Sequence, residues 1–234
     1  MKTLIVGCSF CNNLKWDHYT NKIDWNLHPD IRVAAAPGAG NEFIAARLLH
    51  ECSLKKYDQV FVLWSGINRI DVSISKKLKQ VIGGCTFSAE LGSTVWYHSG
   101  GIAGSWTSDE WIYPDLVKEL IKNQYLEADN KYLSDRTFRS IITAQSFLSK
   151  QNISYKMAFA YDIHKKYFYE ESFFGQADIK SPMYKLIDWG QIQTENSLYE
   201  WAILDPTRMS DQIHPSRDAM REWILDNFKL DIAG

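Results

Sequence analysis

Four short apolar runs, each closed by small or polar residues, constrain this chain more than anything else in it. They cover residues 3–7, 31–36, 59–64 and 155–161. Runs without polar alternation read as strands buried on both faces, as in a parallel sheet. Helical spacing lies between them: Ala45, Leu48, Leu49 and Cys52 after the second run, and Phe138, Ile141, Ile142, Gln145 and Leu148 before the fourth. Apolar residues three and four apart mark one face of a helix. Strands alternating with helices predict an α/β fold around a central parallel sheet.

The remaining segments fit one domain spanning residues 1–234. Helices are expected from Glu42, over 111–125 (with Leu116, Leu120 and Ile121 in register), over 130–150 and over 197–203. A closing helix buries Ala219, Met220, Trp223, Ile224 and Phe228. Residues 72–80, with Lys76, Lys77 and Lys79, read as an exposed helical turn. Residues 82–113 are rich in Gly, Ser, Thr and aromatics and lack the periodicity for a core of their own. They read as a lid-like insertion containing a short hairpin.

Charge and cysteines narrow the function classes. With 26 basic and 28 acidic side chains the net charge is −2, so a nucleic-acid partner is not expected. No apolar run approaches the roughly 20 residues of a membrane span, so no membrane partner is expected either. The first strand begins almost at Met1, which predicts no signal peptide and a cytoplasmic protein. Cys8 and Cys11 form a C-x-x-C, but Cys52 and Cys85 are isolated, so no second pair completes a zinc site. The four read as buried or incidental thiols, and neither metal nor cofactor is expected.

The chemistry-bearing residues follow the strands. Ser9 stands just past the first run, where open α/β sheets place their ligands; its structural alternative is a helix cap. Pro37-Gly38-Ala39-Gly40-Asn41 follows the second run. It is neither a P-loop nor a G-x-G-x-x-G, and its backbone amides can approach an anion. Gly66-Ile67-Asn68 follows the third. Asp162 and His164 close the fourth, either as an acid–base pair or as a polar strand end. Asp211-Gln212-Ile213-His214-Pro215 precedes the last helix. Strand ends converge in a doubly wound sheet, so Ser9, Gly38 and Asn68 should meet, with the Asp211–His214 loop reaching the same edge. Together they hold the parts of an acyl-transfer site. Ser9 is the nucleophile, His214 its base, and Asp211 orients the imidazole. The Ser9 and Gly38 amides and the Asn68 side chain surround the oxyanion. Gly40 is the alternative to Gly38.

These blocks, in this order, resemble the SGNH (GDSL-like) hydrolase family: Gly7-Cys8-Ser9-Phe10, the Gly38 block, Gly66-Ile67-Asn68 and Asp211-x-x-His214-Pro215. The resemblance implies a flavodoxin-like three-layer sandwich, ester hydrolysis without a metal, and the roles just given. Two positions depart from the family pattern. Cys8 stands where an Asp usually precedes the nucleophile, and Arg69 where an Asp often follows the Asn. The expected activity is a serine esterase acting on a short-chain, acetyl-type ester of a carbohydrate, with the aromatic insertion suited to stacking on a sugar ring. The alternative is a non-catalytic glycan-binding or structural module on the same scaffold, with Ser9 and His214 out of hydrogen-bond reach or the site plugged by an aromatic. A nucleotide binder lacks its phosphate-loop signature.

Overall fold

The computed structural model describes residues 1–12, 14, 16–17, 22–23, 29–82, 88–98, 114–127, 129–165, 167–169, 172–174, 176–210 and 214–229. Strand β1 (Thr3–Gly7) runs into a four-residue helix, α1 (Ser9–Asn12). A small antiparallel pair follows, β2 (Trp16–Asp17) and β3 (Lys22–Ile23). Then come β4 (Ile31–Ala35), α2 (Asn41–Leu54), β5 (Gln59–Trp64), β6 (Asp71–Ser75), α3 (Lys76–Ile82), β7 (Ser88–Leu91) and β8 (Thr94–His98). The second half comprises α4 (Asp115–Glu127), α5 (Asn130–Lys150), β9 (Ser154–Phe159), β10 (Tyr167–Tyr169), β11 (Ser172–Phe174), β12 (Ile192–Gln193), α6 (Leu198–Ile203) and α7 (Arg217–Phe228).

Five strands form the central sheet in the order β12-β9-β5-β1-β4, all parallel. Numbered by their turn in the chain, the strands run 2-1-3-4-5 across the sheet, the flavodoxin-like order. The middle strands are buried on both faces, as their unbroken apolar runs predict: Leu4, Ile5, Val6, Val60, Val62 and Leu63 are all fully buried. Helices flank the sheet and complete a three-layer α/β sandwich. Helices α2 and α5 pack against each other. Helix α7 lays Phe228 against Phe61 of β5, ring centroids 4.7 Å apart.

Helix starts follow local chemistry. Asp129 caps α5 by accepting the Tyr132 amide at 2.7 Å, and Ser216 caps α7 by accepting that of Ala219 at 3.2 Å. Ser197 caps α6 and also donates to Glu200, residues of a capping-box pair.

Several expectations are corrected. Residues 72–75 belong to strand β6 rather than to a helical turn. Val72 and Ile74 are buried while Ser73 and Ser75 face out, a period-two pattern masked by the lysines that follow in α3. Strand β6 pairs with the β7–β8 hairpin in a separate three-stranded sheet, order β6-β8-β7. The structured region beside the main sheet therefore starts at Asp71, ahead of 82. Of the expected insertion, residues 83–87 and 99–113 lie outside the described residues, and Cys85 with them. The buried face of α4 is carried by Val117 and Ile121, with Leu116 and Leu120 exposed. In α2, Phe43, Ile44 and Glu51 are buried beside Ala45 and Leu48, and Leu49 and Cys52 are only half-buried. Strand β12, two residues long, is too short to leave a sequence pattern.

Candidate active site

The site starts from the register of three neighbouring strands. Gly7, the last residue of β1, pairs with Ala35 on one side and Leu63 on the other. Ser9 lies two residues beyond that line, Gly38 three beyond Ala35 and Asn68 five beyond Leu63. The loops carrying all three therefore leave one edge of the sheet side by side.

Gly7 is required by close approach. A Cβ there would sit 2.6 Å from the Cys11 Sγ and 3.0 Å from the Leu63 carbonyl oxygen. Its absence lets α1 turn directly over the end of β1. That turn makes Ser9 the first helical residue, with 7% of its surface exposed. Cys8 and Cys11 are fully buried. Burial, with Glu51 adding to it, pushes the Cys52 thiol up to about 11.

His214 reaches Ser9 from the far end of the chain. Its Nε2 lies 3.3 Å from the Ser9 Oγ, across a separation of 205 residues. The distance is long but within reach for a nucleophile–base pair without substrate. The imidazole is held from two sides. Phe10, fully buried, meets it edge-on with centroids 5.6 Å apart, and itself packs against Tyr161 at 5.2 Å. The His214 carbonyl accepts from both the Ser210 amide (2.8 Å) and the Ser210 hydroxyl (2.9 Å). Met209 and Pro215 bridge the same loop, and the Ser216 amide donates to Arg208. Asp211, assigned to orient His214, lies outside the described residues.

The glycine block distinguishes its two candidates. The Ala39 amide donates to the Ala36 carbonyl at 3.4 Å, and Gly38 between them has φ +71°. Pro at the second position and a positive φ at the third is the pattern of a type II turn, which a Cβ at Gly38 would strain. The turn's own hydrogen bond does not use the Gly38 amide. The Gly40 amide, by contrast, donates to Asp71 Oδ1 at 2.9 Å. Asn41 fixes this turn to the neighbouring loop: its Oδ1 accepts the Ser65 amide at 2.7 Å, and its Nδ2 donates to Thr137 Oγ1 at 3.1 Å.

Asn68 is buried in the turn after β5. Arg69, at the position where the family pattern often has an Asp, is also buried and donates through Nη1 to the Ala39 carbonyl at 3.4 Å. The carboxylate in this neighbourhood comes instead from Asp71, three residues after Asn68. Asp71 drew no notice because the residues after it, 72–80, read as an exposed helical turn; the alternation of Val72 and Ile74 was the available signal. An open cavity of about 460 Å³ lies apart from Ser9 and His214, lined by Glu42, Ala45, Asp71, Trp96 and Arg136 among others. Among the described residues, no group of three or more His, Cys, Asp or Glu side chains is arranged to hold a metal ion, and no helix is long and apolar enough to cross a membrane.

The sequence matches no protein-family model, and no curated protein is similar to it.

Proposed function

We propose that this chain is a serine esterase of the SGNH (GDSL-like) type, cleaving a short acyl group, most simply acetyl, from a carbohydrate ester. The observation that carries this reading is the Ser9–His214 contact of 3.3 Å at the edge where the Gly38 turn and the Asn68 loop emerge from the strands flanking β1. The binding-module alternative expects Ser9 and His214 out of reach or an aromatic plugging the site; the contact speaks against the first, and Ser9 keeps 7% of its surface exposed. The low exposure of Ser9 suits a small acyl group.

The steps use groups of the chain. Ser9 Oγ attacks the ester carbonyl carbon as its proton passes to His214 Nε2. The carbonyl oxygen becomes an oxyanion beside the Ser9 and Gly38 amides and the Asn68 side chain. The tetrahedral intermediate collapses, the alkoxide leaves with the proton from the imidazolium, and an acetylated Ser9 remains. Water, deprotonated by His214, attacks that ester, and acetate departs as Ser9 recovers its proton. Asp211 takes the role of steadying the imidazolium.

The test compares the wild type with Ser9→Ala on p-nitrophenyl acetate and on acetylated sugars. Activity that vanishes in the variant supports the reading. Equal rates in both proteins, or no Ser9-dependent rate on any of these esters, would leave the binding module as the better account.

A further inference from the structure

Asp71 opens β6, the strand that begins the smaller sheet, yet its side chain serves the main site's glycine turn. The carboxylate is completely buried. Oδ1 accepts the Gly40 amide at 2.9 Å and Oδ2 the Phe43 amide at 2.8 Å. These amides belong to the N-cap and third residue of α2, whose ladder leaves its first donors open. Helix α2 has no side-chain cap of its own at Gly40. A carboxylate from 31 residues away therefore does the work a local Ser or Asp performs elsewhere.

A third donor comes from the hairpin. His98, the last residue of β8, is 1% exposed and sits directly opposite Asp71 in the β6–β8 register. Its Nδ1 lies 2.9 Å from Asp71 Oδ1. Both carboxylate oxygens accept amide N–H groups, so the histidine nitrogen facing them is the donor. The His98 ring meets Phe43 edge-on, centroids 4.5 Å apart, and so touches α2 as well. Gly40 completes the fit: a Cβ there would lie 2.8 Å from both the Arg69 carbonyl oxygen and Asp71 Oδ2. The turn carrying Gly38 is thus closed at one end by the Ala39–Ala36 hydrogen bond. Two residues on, Asp71 clamps it.

We propose that Asp71 and His98 are a positioning pair, through which the β6–β8–β7 sheet sets the Gly38 turn and so the geometry of the oxyanion site. The catalytic part of this inference rests on the esterase reading; the clamp itself does not. A buried carboxylate keeps its place only while its donors are supplied. Removing the His98 donor leaves Asp71 free to shift toward its remaining partners and to carry Gly40 with it. A displacement of about 1 Å at a catalytic donor costs on the order of 100-fold in rate.

The experiment uses the full-length protein and two substitutions. His98→Phe keeps a ring against Phe43 and removes the donor. His98→Asn places an amide N–H near the position of Nδ1. Two readouts are taken below the melting temperature of each variant: amide hydrogen exchange over residues 38–43, and kcat and KM on p-nitrophenyl acetate. The expected result for His98→Phe is exchange about tenfold faster in that segment and kcat lowered about 10- to 100-fold, with KM within twofold. His98→Asn should restore most of both. Should His98→Phe fail to fold, His98→Gln takes its place, its amide too long for the Nδ1 position. Unchanged exchange over 38–43 overturns the clamp. Faster exchange with unchanged kcat overturns the catalytic role. If the wild type shows no Ser9-dependent hydrolysis, the esterase reading fails on its own, and the exchange measurement alone decides the clamp.

Discussion

Among the described residues, two hydroxyl–imidazole pairs stand at the carboxyl edge of the main sheet, and the one with the better distances is not the proposed site. Ser9 Oγ and His214 Nε2 are 3.3 Å apart. Beyond the end of β9, Tyr184 Oη and His164 Nε2 are 3.1 Å apart, and His164 Nδ1 lies 3.3 Å from Asp162 Oδ1. The second pair even shows its carboxylate. Its surroundings are those of packing, however. Asp162 accepts the His164 backbone amide at 2.9 Å, a local turn contact, and shares its charge with Lys165. The Tyr184 ring is 4.4 Å from that of Trp189 and 5.6 Å from that of Phe138, and burial pushes its phenol up, away from the phenolate a nucleophile needs. Around Ser9, by contrast, the flanking strands deliver a positive-φ glycine and an asparagine. A reaction site is defined by the donors available to the developing charge, more than by the hydroxyl–imidazole contact itself.

That comparison can be broken by mutation, starting with the largest effect. Ser9→Ala or His214→Ala should lower kcat on the order of 10⁵- to 10⁶-fold, as for other Ser–His pairs. A loss under tenfold in either would remove the first pair from the chemistry. Asn68→Ala should cost about 10²- to 10³-fold in kcat with little change in KM, the signature of a donor used in the transition state. At the second pair, His164→Ala and Tyr184→Phe should leave kcat within about threefold and lower stability by about 1 kcal/mol through lost packing and hydrogen bonding. A large kcat loss there would reverse the assignment.

The smallest effect separates stability from chemistry. Glu51, buried on α2, accepts from Arg47 at 2.5 Å, with Arg32 and Tyr57 each 3.4 Å away. Burial raises its carboxyl, but Arg47 and Arg32 more than offset this and hold it below the ordinary 4.5. A lowered folded-state value means the stabilisation is complete above about 4.5 and fades as pH falls through the folded value. Glu51→Gln should therefore lower stability by about 1–2 kcal/mol at pH 7, less as the pH drops below 4, and leave kcat unchanged. Denaturant melts at pH 7 and pH 3.5 check the trend.

Much of this was legible because the signals are local. The unbroken apolar runs at 3–7 and 59–64 and the helical spacing over 130–150 are written in consecutive residues, and the strands and helix fall there. The placement of Ser9, Gly38 and Asn68 on adjacent loops followed from strand ends alone. Three things depend on partners distant in the chain. Strand β12 is held by its neighbour β9 rather than by its own residues. The faces of α2 and α4 are set by what packs against them, so periodicity put Leu116 and Leu120 inward with Ile121, whereas Val117 is the residue buried beside Ile121. Asp71 and His98 meet only because β6 and β8 pair. Each residue alone looks like an ordinary polar side chain.

The loop that bears His214 has a consequence for how this protein tolerates change. Ser210 grips the His214 carbonyl through both its amide and its hydroxyl, and Met209 bridges to Pro215 just outside. Residues 208–210 and 214–216 are thus tied to each other, and the imidazole hangs from that tie. The hold on His214 is mostly main-chain hydrogen bonding, so side-chain substitutions at Arg208 and Met209 leave the imidazole where it is while the surface around it changes.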